Sequence, residues 1–114
     1  MNTHYLKRHA NFTTAEQLDR ATELHMLQHN DSLTISDVQV LDTIRRHSKE
    51  HGAAHLPYST IEAEIGRSNI TVRRAIRKLV ELKIIQKVHY IQPVMQGLGA
   101  NIYVILPYGL VVDG

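Results

Sequence analysis

Seven basic residues, Arg67, Arg73, Arg74, Arg77, Lys78, Lys83 and Lys87, fall within 21 positions that hold a single acid, Glu81. That segment carries +6 while the whole chain carries +2, so the other residues sum to −4. Charge separated in this way suits an anionic polymer, because Lys and Arg that neutralise phosphates release the counterions condensed on them. Asn69, Arg73 and Arg77 are spaced by four and share one face of a helix. Asn can pair with adenine, and Arg can fork onto guanine or onto a phosphate. Ser68 and Thr71 add hydroxyl groups at the same end of the segment. Arg67, Arg74, Lys78, Lys83 and Lys87 supply attraction that is indifferent to base sequence.

Other chemistries find less support. Eight histidines invite a metal site, and His25/His29 and His47/His51/His55 recur at the spacing of four that puts imidazoles on one helix face. Gly52 and the stretch up to Pro57 take His55 off that helix, and no carboxylate completes an HExxH-like pattern, so no metal is expected. Protonation below neutral pH is the better use for these histidines. There is no patterned nucleophile, no acid/base pair and no phosphate loop. Gly97-Leu98-Gly99 lies between two strand candidates, where a hairpin turn explains it better than a nucleotide cradle. The expectation is a protein that is not an enzyme and needs no cofactor.

The elements that must position the basic residues follow from local signals. Thr13-Thr14-Ala15-Glu16 reads as a capping box, with Leu18, Ala21, Leu24 and Leu27 behind it on a helix to about Gln28. Ser36-Asp37 starts a second helix that carries Val38, Leu41, Ile44, Arg45 and Arg46 and ends near Glu50, before Gly52. Pro57 holds residues 54–58 extended, and Ser59 caps a two-turn helix that stops at Gly66. Ser68 then caps a helix over about 69–82, in which Val72, Ala75, Ile76, Leu79 and Leu82 form one apolar stripe. Residues 84–91 and 101–106 read as two strands of a hairpin, broken between Pro93 and Gly99.

Two short helices separated by Gly66-Arg67 allow the second to cross the first steeply and project outward, in the geometry that places a helix in a DNA major groove. At these residues the chain resembles the winged helix-turn-helix superfamily. YSTIEAEIGRSNITVRRAIRKLVELKIIQKV is similar to its GntR-type members and to those associated with plasmid and phage replication. The resemblance runs from Ser36 to Leu106 and is most specific over S-x-x-T-V-R-R-A-I-x-x-L, from Ser68 to Leu79. It implies that Ser68, Asn69, Thr71 and Arg73 contact DNA and that Val72, Ala75, Ile76 and Leu79 are core. GANIYVILP is similar to the closing wing strand of small plasmid and prophage regulators. The chain departs from the family pattern after the recognition helix, where a glycine is usual and Lys83 must take the turn at a conformational cost. The wing tip PVMQGLG carries no Arg or Lys, which leaves Lys87 and His89 as the wing's nearest groups to a backbone.

The expected fold is therefore mainly α with a small β-hairpin, a winged helix-turn-helix with an additional N-terminal helix. Residues 1–33 form the extension, 34–107 the DNA-binding domain and 108–114 a tail. At 114 residues, 43% hydrophobic and without cysteine, the chain is one small domain that holds a core without disulfides. It offers no apolar run for a bilayer and no signal-peptide core, so it is expected in the cytoplasm. The expected function is that of a double-stranded DNA-binding transcriptional regulator, working as a homodimer through the N-terminal helix. Alternatives are a replication or partition role on a plasmid or phage, and a protein-interaction module that docks a partner through Met95, Leu98 and Leu110-Val111-Val112.

Overall fold

The computed structural model describes residues 4–89 and 101–108. Five helices, α1 (His4–Lys7), α2 (Ala15–Gln28), α3 (Ile35–Ser48), α4 (Tyr58–Ile65) and α5 (Asn69–Glu81), accompany three strands, β1 (Ala54–Leu56), β2 (Ile85–Val88) and β3 (Asn101–Ile105). The short helix α1 had no signal in the sequence.

The helix starts sit within two residues of those expected, and the shifts have simple causes. At α2 the Thr14 hydroxyl accepts from the Gln17 amide, and Gln17 in turn accepts from the Thr13 N–H at 2.9 Å, so the reciprocal partner is Gln17 and not Glu16. At α3 the cap is Thr34, two residues before Ser36, because Asp37 stands three residues after Thr34 and completes a capping box with it. The cap expected at Ser59 is absent: α4 begins at Tyr58, and Pro57 precedes it with no side-chain cap. Ser68 caps α5 as expected, accepting from the Thr71 amide.

The sheet is antiparallel in the order β1-β3-β2. The expected hairpin is present as β2 and β3, paired from Ile85 opposite Ile105 to Val88 opposite Ile102. It gains a third strand, because β1 pairs with the other edge of β3, Ala54 opposite Tyr103 and Leu56 opposite Asn101. Being central, β3 is covered on both faces, and this accounts for its unbroken apolar sequence Ile102-Tyr103-Val104-Ile105. Tyr103 and Ile105 enter the main core with Val40, Leu41, Ile44, Ile61, Val72, Ile76 and Leu79. Ile102 and Val104 face the other way, where α1 covers them with Leu6.

Helix α2 shares the main core. Leu18 packs within it, with Phe12 and Met26 against it, and Arg45 of α3 reaches Asp19 at 3.0 Å. Of the apolar face expected on this helix, Leu18 and Ala21 are buried on the same chain, Leu24 is half-buried and Leu27 is exposed. Tyr108, placed in the tail by the sequence, sets its ring edge-on to His25 at a centroid distance of 5.4 Å. The rest of the tail and the wing tip with Met95 and Leu98 lie outside the described residues.

His25 is 3% exposed. Its Nε2–H donates to the Leu106 carbonyl at 2.8 Å, while its Nδ1 is buried without a partner among the described residues. Burial pushes its pKa below the ordinary histidine value, the Leu106 carbonyl opposes this, and His29 adds to the lowering. An unfolded chain then takes up the proton at higher pH than the folded one. The stability this neutral histidine contributes is complete above about pH 6.5 and is lost as pH falls through the lowered folded value. Tm is expected to fall between about pH 7 and pH 5, and His25→Gln, which keeps a donor for Leu106, is expected to flatten that fall when thermal unfolding is followed across the range.

Tight turns close the helices. Gly66, at φ 67°, ends α4 by donating to the Glu62 carbonyl at 2.8 Å. Lys83 ends α5 at φ 61° in the same left-handed region, the one described residue other than glycine to do so. Ile84 N–H then reaches back to the Leu79 carbonyl at 3.0 Å, which is the Schellman closure. A side chain in this conformation costs about 1 kcal/mol. Lys83→Gly is thus expected to stabilise the fold by roughly 0.5–1 kcal/mol in denaturant unfolding.

Candidate nucleic-acid interface

The turn between α4 and α5 is organised largely by one residue that the sequence reading passed over. The Glu62 carbonyl accepts from both Gly66 and Arg67, at 2.8 and 3.3 Å. Its carboxylate accepts from the Asn69 side-chain amide at 2.8 Å. Glu62 therefore sets the crossing of the two helices and holds Asn69 in place. Arg67 is tied the other way, its Nε donating to Gln39 of α3 at 3.2 Å. Glu62 stands three residues after Ser59, the spacing of a capping box, but neither its contact with Asn69 nor that of Gln39 with Arg67 can be read from spacing, since each joins a helix to a residue beyond it.

Helix α5 divides cleanly. Val72, Ala75, Ile76 and Leu79 are buried, while Ser68, Asn69, Ile70, Arg73, Arg74 and Arg77 are exposed. Arg73, Arg74 and Arg77 form no hydrogen bond or ion pair with any described residue. Their surroundings differ. Arg73 and Arg77 face β2 across a cleft of about 210 Å³ lined also by Tyr58, Glu81 and Lys87. Arg74 faces the start of α3 with Thr71, Thr34 and Ser36. The ten residues expected at the interface thus gather around α5 with two outliers. Lys83 stands exposed in the turn after it, and Lys87, half-buried on β2, is opposite Tyr103.

Lys78, expected at a phosphate, has partners within the chain. Its ammonium donates to the Asp37 carboxylate at 2.8 Å and to the Ser32 carbonyl at 2.9 Å. The Asp37 side chain is 6% exposed and the Lys78 side chain 36%. The ion pair compensates the charge of Lys78 within the chain and fastens α5 to the first turn of α3. The reason lies in the α3 cap: the carboxylate oxygen that accepts from the Thr34 N–H at 2.9 Å also receives Lys78.

The acids of the remaining −4 are largely committed. Arg45 binds Asp42 at 2.6 Å and Asp19 at 3.0 Å. Arg46 binds Asp42 and Glu64 at 3.1 and 3.3 Å, and His47 meets Glu64 at 2.7 Å. Burial raises the Asp42 pKa, but hydrogen bonds and charge from Arg45 and Arg46 outweigh it and hold the carboxyl below its usual value. The His47 contact, with Arg46, holds Glu64 low as well. Cations of α3 are therefore spent on acids, whereas the three arginines of α5 keep an uncompensated field toward solvent.

Ile70 is the surface residue of α5 that the list of polar readers omitted. It is 62% exposed and stands opposite the Val72/Ile76/Leu79 stripe. A helical wheel drawn from the sequence identifies it, since residues 70, 74 and 77 share one face.

Residues 33–85 match a family model described as a helix-turn-helix domain, and no curated protein matches the chain in sequence. The matched stretch takes in α3, β1, α4, α5 and the first residue of β2, and it supports a helix-turn-helix domain there. With five helices and a three-stranded antiparallel sheet that carries the wing strands, the fold is consistent with a winged helix-turn-helix. No helix among the described residues is long and apolar enough to cross a membrane.

Proposed function

We propose that the chain binds double-stranded DNA sequence-specifically as a transcriptional regulator, with α5 in the major groove and without catalysing a reaction. The observation that carries this reading is the outward face of α5, on which Arg73, Arg74 and Arg77 are exposed and unpaired among the described residues. A solvated surface helix ordinarily interleaves acids with such arginines at spacings of three and four. Here the lone acid of the basic segment is Glu81, at the end of α5. Ser68, Asn69, Thr71, Arg73 and Arg77 are assigned to the reading surface, and Arg67, Arg74, Lys83 and Lys87 to phosphates.

Affinity for a mixed-sequence duplex is expected to fall steeply with added salt. Arg74→Ala should lower the slope of log K against log salt by about one unit for every duplex, as expected for one lost phosphate contact. Asn69→Ala, in contrast, should relax discrimination at one base pair by about 1–3 kcal/mol with the slope unchanged. Binding that is indifferent to salt in the wild type would sink the proposal.

A replication or partition role on a plasmid or phage would use the same surface, and the location of bound sites, at promoters or at iterated origin repeats, separates it from transcription. The proposal places the protein with DNA in the cytoplasm. A homodimer through α2 would have Leu27, which is exposed, to offer, since Leu18 is already buried in the chain's own core.

A further inference from the structure

Ile70 carries the inference. Isolated exposed hydrophobic residues are ordinary on a protein surface, so its position matters more than its exposure. Leu27 and Ile35 are each 72% exposed, on α2 and at the start of α3, and Val80 is 37% exposed near the end of α5, but none of them stands in the first turn of α5. Ile70 stands in the first turn of α5, four and seven residues before Arg74 and Arg77 on the same outward stripe. Asn69 and Arg73 flank it, both exposed. A β-branched residue is a poor choice for an exposed helix position, where a straight polar chain keeps more rotamer freedom.

The amino-terminal turns of a recognition helix are the part that meets base edges. In the major groove the apolar group presented by a standard base is the thymine C5 methyl. Cytosine has only C5–H where thymine carries the methyl, and its N4 amino group replaces the neighbouring O4, so an isoleucine there loses the methyl contact and shields a donor from water without accepting from it. We infer that Ile70 reads a thymine by packing against its C5 methyl, a specificity contact that rests on the DNA-binding reading above. Arg74 and Arg77 hold the helix on the backbone and on neighbouring bases while Ile70 discriminates.

The experiment begins by selecting bound sequences from a randomised duplex pool with the wild-type chain. Each thymine of the selected site is then replaced singly by deoxyuridine, which removes the methyl group and leaves base pairing intact. At one base pair the substitution is expected to weaken binding about threefold to tenfold, the scale of one buried methyl group. Ile70→Ala should bind the thymine and deoxyuridine duplexes equally, and Ile70→Val should keep part of the difference. Because Ile70 is exposed, unchanged thermal unfolding is expected to show that both variants fold. The inference is overturned if no thymine is sensitive, or if the sensitivity persists in Ile70→Ala. Salt-dependent duplex binding that enriches no motif also overturns it while leaving DNA binding intact. Failure to bind any duplex at low salt would instead remove the reading on which it rests.

Discussion

Replacing both Arg73 and Arg77 with Glu is expected to abolish retention on duplex DNA at low salt, with affinity lower by a hundredfold or more. Each arginine that forks onto a base is worth about 1–3 kcal/mol, so the loss of two such contacts alone costs about that much. Reversal adds repulsion to the loss. Both side chains border the cleft between α5 and β2 that Lys87 also lines, so the change falls where three cations converge. The fold should survive, since neither arginine holds another described residue. Arg20→Glu is the control: Arg20 is an exposed cation on α2 whose partner Glu23 lies 3.8 Å away, and its reversal should leave retention nearly intact. Heparin or duplex chromatography with circular dichroism reads both. Retention that survived the double reversal would favour the protein-interaction module.

Lys78→Met should destabilise the fold and yet leave the salt slope of DNA binding where it was. The substitution strands a carboxylate that is nearly buried, with the Thr34 amide as its remaining partner. Losing a hydrogen bond to a charged group costs about 1.5–3 kcal/mol in such a setting. The solvent that reaches Lys78 reduces the penalty, so roughly 1–2 kcal/mol is expected in urea unfolding. Asp37→Asn should cost as much or more, because it weakens the α3 capping box together with the Lys78 contact. The double variant should fall short of the sum of the two by about 0.5–3 kcal/mol, the signature of a direct pair. A Lys78 that touched phosphate would lower the salt slope by about one unit on removal, as Arg74 should. A Lys78 that only fixes the angle of α5 would lower affinity at a constant slope.

These two outcomes concern residues four and five positions apart in one basic run, and they show how far sequence reaches. Cap, stripe and turn were legible along α5: Ser68 caps it, Val72 to Leu79 bury it, and Gly66 adopts the left-handed conformation that the crossing needs. Lys83 was legible in the same way, as the residue forced into a glycine's conformation. Each of those features is written in contacts no more than five residues long. The start of α3 moved to Thr34 because Asp37 completes a capping box with it, and α4 starts directly after Pro57 with no side-chain cap.

What the sequence by itself determined is the size of the domain, the order of its main elements and the concentration of positive charge on α5. Those follow from composition, periodicity and local hydrogen bonding, which act before the chain is folded. Only the tertiary structure decided which cations remain free to act. Lys78 finds Asp37 across 41 residues, Arg45 finds Asp19 across 26, and β1 joins β3 from nearly 50 residues away. No spacing rule encodes such meetings, because they depend on which faces the core brings together. The +6 segment was therefore an inventory of charge. The fold turned it into three arginines around Ile70 that are unpaired among the described residues, with one lysine drawn onto Asp37.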